Sequence, residues 1–482
     1  ERNAPTRISA GELNVGIPNL SGSRVIWPVA ESSEAGADFD LALVRLPAKR
    51  AVKSDNRAPL SGGEESSSEP RMRLLVEEEG SQGDVSMARK LVAWRVREAG
   101  EASLEWCRLK SARASRRACR SHRISLAAGT PGAPHVGQNW IVWQRDATDQ
   151  SVIEGCRVAR RSAICRPFGL IDDVLDRSWK LRSFDGQTLL IEWGRVHALC
   201  RLSPSGVPCQ PELIVRGAGT PLMFEPLHDG RLFAFSEVTI ESRPPRGCLP
   251  GEFVAGCRPA GAVVVRYHAC LLAKDTNVCD SIPISESRRV EYFSGIEVSG
   301  RRIAWAAASE TEQSTVRVCE FDRSTQACPA QRLTGSAARQ DGIAMDGRRI
   351  VWRDRRPGEL SVWGTELITL KGPERKRKRA GSRFSIPFRV WSKADESITY
   401  SVESVLGLDP ELAGAKIVDP GPSGGRVRLV GRIPKNAEGL HRWRVRAEGQ
   451  GGLYSEWLIE VEVSPPPNAW GRTKDWTRLW PK

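Results

Sequence analysis

The sequence predicts an all-β chain: a seven-bladed β-propeller whose last blade is closed by an N-terminal strand, followed by an immunoglobulin-like β-sandwich. Three observations carry this. A short apolar strand ending in an aromatic residue recurs seven times, and the cysteines fall into local pairs in step with that recurrence. After residue 366 the recurrence stops, and strands alternate with turns over about a hundred residues. The organisation expected is therefore a disulfide-stapled propeller over residues 1–366, a sandwich over 367–464 and a Pro- and Trp-rich tail over 465–482.

The recurring unit is a turn glycine, an apolar run and an aromatic: Gly22 to Trp27, Gly137 to Trp143, Gly186 to Trp193, Gly230 to Phe235, Gly300 to Trp305 and Gly347 to Trp352. A seventh copy, Lys90 to Trp94, lacks the glycine. Copies 42 to 70 residues apart match one per four-stranded blade, with insertions in the longer intervals. Within a repeat the expected order is a short inner strand, the turn, the aromatic-ended strand, a third strand and an outer strand. The last repeat runs out of chain, because Val362 and Trp363 stand where the third strand belongs and nothing after Glu366 supplies a fourth. Thr6-Arg7-Ile8-Ser9-Ala10 resembles His122-Arg123-Ile124-Ser125, which stands just before another repeat. Residues 6–10 are expected to be the missing outer strand.

The twelve cysteines form six local pairs: Cys107 with Cys119, Cys156 with Cys165, Cys200 with Cys209, Cys248 with Cys257, Cys270 with Cys279 and Cys319 with Cys328, all but the first spaced by nine. Opposed residues on a hairpin have Cα atoms about 4.5 Å apart, within reach of a disulfide. Each pair is expected to staple the outer hairpin of one blade, whose last strand is an exposed edge. Closing a ten-residue loop stabilises by roughly 2 to 3 kcal/mol. No C-x-x-C occurs, so the cysteines are not read as zinc ligands. Six structural disulfides imply an extracytoplasmic setting: periplasm, cell surface or secreted. The opening Glu1-Arg2-Asn3-Ala4-Pro5 has neither an initiating Met nor an apolar export segment, as expected of a mature or trimmed chain. No apolar stretch approaches the roughly 18 to 20 residues that span a bilayer.

The formal charge of +14 favours acidic partners, but the positive residues are interspersed with Asp and Glu instead of gathered in one stripe. Nucleic acid is therefore not expected. Residues 61–70 and the insertion 241–261, which carries Cys248 and Cys257, read as rim loops. Arg375-Lys376-Arg377-Lys378-Arg379 reads as a solvated loop opening the second domain. Runs such as 384–390, 398–402, 426–430, 443–447 and 457–463 supply the sandwich strands. Trp470, Trp476 and Trp480 stand in a tail stiffened by Pro465, Pro466 and Pro467 and are expected to bind a partner subunit.

No catalytic, cofactor or metal residues stand out. There is no G-x-S-x-G elbow, and His122, His135, His197, His228, His268 and His441 show no metal-ligand spacing. Carboxylates from different blades can still meet to cleave a glycosidic bond, which spacing alone does not reveal. The function expected is a non-catalytic binding or structural subunit of an envelope or extracellular assembly. The alternative is a secreted protein that binds or cleaves acidic polysaccharide.

Arg349-Ile350-Val351-Trp352-Arg353-Asp354 and Trp140-Ile141-Val142-Trp143-Gln144-Arg145-Asp146 resemble the repeats of bacterial TolB-like propellers, over about residues 6–366. That resemblance implies an interaction platform, although a few relatives cleave polysaccharides. The motif's Asp is kept at Asp146 and Asp354 alone. Ile398-Thr399-Tyr400-Ser401 and Gly452-Leu453-Tyr454-Ser455 resemble bacterial cadherin-like or putative immunoglobulin-like domains. The calcium-binding acidic cluster of those domains is reduced here to Asp395 and Glu396, so no calcium is expected.

Overall fold

A computed structural model describes residues 6–9, 14–30, 39–46, 72–76, 81–98, 100–109, 119–147, 150–159, 164–172, 178–217, 220–221, 223–241, 262–272, 277–288, 295–308, 314–322, 326–334, 338–356, 359–391, 398–419, 427–449 and 453–465. All regular structure among them is β, with no helix. The chain divides into two compact units, one made of Pro5–Pro47 with Ser66–Thr365, the other with its described residues in Glu366–Lys482.

The described part of the N-terminal unit holds seven antiparallel sheets of four or five strands and one parallel pair, Val215–Arg216 with Val278–Cys279. In the first, Asn14–Val15 and Asn19–Ser21 both pair with Arg24–Ala30, followed by Asp40–Arg45 and Met72–Val76. The second is Ser81–Ala88, Leu91–Glu98, Glu101–Arg108 and His122–Arg123. In the third, Thr130–Pro131 and His135–Val136 flank Trp140–Asp146, then come Ser151–Arg157 and Phe168–Gly169. The fourth is Lys180–Phe184, Thr188–Trp193, Val196–Arg201 and Glu212–Leu213, and the fifth is Phe224–Asp229, Leu232–Glu241, Ala262–Leu271 and Ile282–Arg288. The sixth is Ile296–Ser299, Arg302–Ala308, Ser314–Glu320 and Gln331–Arg332. In the seventh, Arg339–Asp346, Arg349–Arg356 and Glu359–Glu366 are joined by Thr6–Arg7 from the chain start.

The fourth residue of the second strand explains the aromatic repeat. It is Trp27, Trp94, Trp143, Phe235, Trp305 or Trp352 in six sheets, each at most 1% exposed. Side chains alternate across a strand, so this position faces a neighbouring sheet and fills the space between them. Trp94 shares a core with Ile26 of the preceding sheet, and Trp27 shares one with Val351 and Val362 of the seventh. Trp193 breaks the expected pattern. In the fourth sheet the strand starts at Thr188, Ile191 takes the buried position, and Trp193 falls two residues beyond it, 45% exposed beside the turn at Gly194.

A second repeat links the sheets. The backbone N–H of Gly230 donates to Asp185 Oδ2 (3.1 Å), Gly300 to Asp229 Oδ2 (2.5 Å), Gly347 to Ser299 Oγ (2.8 Å), and Gly22 to Asp346 Oδ2. In each case the acceptor ends or follows the inner strand of one sheet, and the donor opens the inner turn of the next. These glycines all have φ between 60° and 63°, and where the sequence lacks one, Arg89 adopts φ 56° and donates to Ser21 Oγ (2.7 Å). Val136 N–H donates to Ser86 Oγ at the second-to-third junction, and Leu181 N–H to Gln144 Oε1 at the next. Contacts of this kind lead from the first sheet through the seventh and back.

The N-terminal strand is held as the sequence suggested. Thr6 pairs with Gly364 and Arg7 with Trp363, Ile8 N–H donates to Val362 O (2.7 Å), and Val362 N–H donates to Ser9 Oγ (2.9 Å). Five disulfides join Cys107–Cys119, Cys156–Cys165, Cys200–Cys209, Cys270–Cys279 and Cys319–Cys328. Cys248, Cys257 and the rim insertions around residues 61–70 and 242–261 lie outside the described residues. Two staples also reach between sheets: Cys209 N–H donates to Leu170 O, and Cys279 O accepts from Gly217 N–H.

The C-terminal unit has two four-stranded sheets. One orders Thr369–Lys371, Arg383–Trp391, Val427–Arg432 and Lys416–Val418; the other orders Arg375–Arg379, Tyr454–Ser464, Gly439–Gly449 and Ile398–Leu406. Ile386, Phe388 and Leu429 from the first share a core with Trp443, Val445, Ile459 and Val461 from the second. The basic run at 375–379 is thus a strand, not the loop expected. It pairs in parallel with Tyr454–Ser464, which sets Arg375 beside Glu460 and Arg377 beside Glu462. Arg377 Nε lies 2.9 Å and Arg375 Nη2 3.2 Å from the Glu462 carboxylate. The hydrogen bond from Arg377 holds that carboxyl below its usual range. Opposite charge on the adjoining strand, which local composition does not report, makes five cations tolerable on an edge strand. Asp395 and Glu396 lie outside the described residues.

Candidate functional site

The inner strands of the seven four- and five-stranded N-terminal sheets border one cavity of about 800 Å³. Each sheet contributes, from Asn19 and Gln82 through His135, Ser183 and His228 to Glu297 and Ala344. The site is therefore a product of the repeat itself, since every inner strand brings a few side chains to a shared space.

Most charges in the wall are already engaged. Arg95 forms an ion pair with Asp84. Arg353 donates from Nε to Asp341 (2.6 Å) and from Nη1 to Val15 O (3.2 Å). Asp185 Oδ1 accepts from Gln187 and Thr188 N–H (2.9 and 2.7 Å), while its other oxygen and Asp229 cap the glycine turns.

Ser183, His228 and Asp185 have the residue types of a hydrolase triad. Ser183 Oγ lies 2.7 Å from His228 Nδ1, but His228 Nε2 is 3.6 Å from Asp185 Oδ2, too long for the orienting bond. The imidazole is completely buried, and burial lowers its pKa against the opposing pull of Asp185 and Asp229. Asp185 is committed to its turn. This trio is a packing arrangement.

Glu297 and His135 differ from the rest. Each borders the cavity and is partly exposed, and no hydrogen bond or ion pair holds either one among the described residues. Enclosure by protein pushes the Glu297 carboxyl up to about 8 and the His135 imidazole down to about 4. Both groups are therefore neutral near neutral pH. Sequence reasoning counted His135 among six scattered histidines and passed over Glu297, because only the strand register shows which residues of an inner strand reach the cavity.

The other histidines have local roles. His268 stacks on Phe235 (5.3 Å between ring centres) and meets Glu237 Oε2 at 3.1 Å, His441 Nδ1 accepts from Leu408 N–H (2.9 Å), and His122 lies against Trp106. His197 is buried 3.6 Å from Glu192. Asp146 and Asp354, which the motif equates, occupy different positions. Asp354 is the sixth residue of its strand and 2% exposed, its carboxyl raised by burial; Asp146 is the seventh, exposed, and bonded to Ser151 and Gln144. Trp470, Trp476 and Trp480 lie outside the described residues.

No protein-family profile matches the sequence, and no curated protein matches it. Among solved structures, the chain is similar to a prolyl endopeptidase at 12% identity and a TM-score of 0.40, covering 91% of this chain and 54% of that one, so that it spans about half of that relative's length. It is also similar to the β-propeller domain of the Trilobed protease from Pyrococcus furiosus (10% identity, TM-score 0.34, 80% of this chain and 97% of that one). A third similarity is to the polysaccharide lyase Uly1, at 5% identity and a TM-score of 0.40, covering 72% of this chain and 88% of that one.

Proposed function

We propose that this protein is a non-catalytic binding or structural subunit of an extracytoplasmic assembly. In this reading the seven sheets of residues 1–366 are the blades of a closed, TolB-like propeller, residues 367–464 are an immunoglobulin-like sandwich, and residues 465–482 are a docking tail. The observation that carries the reading is the way the sheets are tied together. Side-chain caps join one inner turn to the next, a strand from the chain start completes the last sheet, and five disulfides hold the outer hairpins. A scaffold fixed in this way loses little conformational entropy when it binds, which favours affinity over turnover. The disulfides support an oxidising compartment.

The test pairs two measurements. Chemical cross-linking in the native envelope is expected to join the full chain to a protein partner, and the cross-link is expected to be lost when residues 466–482 are removed. The same preparation is assayed on polyuronides. Turnover there, or cross-linking indifferent to the tail, would count against the reading, and turnover would favour the polysaccharide-cleaving alternative.

A further inference from the structure

We propose that the cavity bordered by the seven inner strands binds an uncharged, hydroxyl-rich ligand of mono- or disaccharide size, with the Glu297 carboxyl donating a hydrogen bond to it. A cavity of about 800 Å³ falls within the roughly 300 to 1,000 Å³ of small-molecule sites. By count its charges balance, three arginines (Arg95, Arg97 and Arg353) against three aspartates (Asp84, Asp185 and Asp229). A site built for an acidic sugar needs a surplus of cations, and this wall has none. What it offers instead is polar groups in neutral form. Glu297, pushed up to about 8, keeps its proton and can donate; His135, pushed down to about 4, can donate from one ring nitrogen and accept at the other.

Glu297 and His135 are each partly buried in the wall, and a polar side chain there without a protein partner gains a hydrogen bond from a ligand hydroxyl. The two groups stand on the third and sixth sheets, so a ligand bridging them lies across the cavity. Phe39 and Phe184 in the same wall supply apolar surface for the C–H faces of a sugar ring. The ionisable groups around Glu297 are His228 and Asp229 on the preceding inner strand, Arg339, Asp341 and Asp346 on the following one, and Arg302 and Arg353 on adjoining strands. Asp229, Asp341, Asp346, Arg302 and Arg353 are all engaged elsewhere. A ligand in the cavity is independent of any partner on the outer surface.

The test is calorimetric titration of the full chain near pH 6, where Glu297 is protonated, with cellobiose, maltose and trehalose, and with digalacturonate as the charged arm. At least one neutral sugar is expected to bind and digalacturonate is not. Glu297→Gln keeps an N–H donor and is expected to stay within about threefold of the native affinity, whereas Glu297→Ala is expected to weaken it about tenfold, the worth of one buried hydrogen bond. His135→Phe, which fills similar space without the polar atoms, is expected to weaken binding as well, so the outcome does not hinge on one variant folding. The proposal is overturned if no neutral sugar binds, if digalacturonate binds tighter than all three, or if the Ala and Phe variants bind as the native chain does.

Discussion

Removing residues 1–9 opens the seventh sheet, and the size of the effect follows from what those residues touch. Ile8 is 4% exposed in a core shared with Trp27, Val351 and Val362. Losing a buried aliphatic side chain costs about 3 kcal/mol once the cavity left behind is included. Ile8 N–H donates to Val362 O, and Ser9 Oγ accepts from Val362 N–H, so two buried hydrogen bonds disappear at about 1 kcal/mol each and Val362 N–H is left unpaired. The Arg7–Glu359 ion pair, about one-third exposed on each side, adds little. The total is about 5 kcal/mol, a large part of the roughly 5 to 15 kcal/mol that keeps a domain folded. At about 2 °C per kcal/mol for a unit of this size, the melting temperature is expected to fall by about 10 °C. Circular dichroism melting of the shortened chain, compared with a chain lacking only residues 1–5, measures it. A difference below about 2 °C would refute the idea that this strand holds the seventh sheet together.

Other outcomes follow from the same contacts. Replacing Cys200 and Cys209 together by Ser is expected to lower stability by about 2 to 3 kcal/mol in urea unfolding, and an unchanged midpoint would contradict the staple. Non-reducing peptide mapping is expected to find Cys248 joined to Cys257; either of them joined to Cys270 would break the local pairing. Arg89→Gly is expected to stabilise by up to about 1 kcal/mol, because φ 56° strains any residue with a Cβ, and a destabilised variant would show that the arginine side chain matters more than its backbone. For Glu297 the folded-state pKa of about 8 lies above the ordinary 4.5, so the unfolded chain releases its proton first and this group favours folding less and less as pH rises through that window. Glu297→Gln, which does not titrate, is therefore expected to match the native chain near pH 4 and to be the more stable near pH 8; a gap that does not change with pH would mean the carboxyl is not enclosed.

The strand order within each repeat was legible because three signals shared one phase. A glycine free to take positive φ, an aromatic at the fourth strand position and a cysteine on the third strand are all local, so each survives without knowledge of the fold. Arg89 shows the limit of the first signal: the turn was kept while the glycine was not, since a single strained φ is affordable when Ser21 caps the turn. Trp193 shows the limit of the second. Counted from Gly186 it belongs to the series, but counted from the strand start at Thr188 it lies two residues beyond the buried position, and burial follows the strand register. The basic strand at 375–379 was missed because its stabilising partner, Glu462, is more than eighty residues away in sequence.

The cavity was illegible for a related reason. Its wall takes side chains from each of seven inner strands, some as short as His135–Val136, so no single stretch of the sequence shows it. Asp or Ser caps recur at the inner-strand ends at four junctions, where the N–H of a turn glycine needs an acceptor, and recurrence is what sequence reading detects. Glu297 is the opposite case. It sits two residues before a cap, Ser299, whereas the residues two before the caps Asp229 and Asp346 on the flanking inner strands are Leu227 and Ala344, neither of them a carboxylate. A group that no repeat requires and no partner neutralises does not serve to tie the sheets together; its carboxyl borders the cavity, and that is where its chemistry is to be tested.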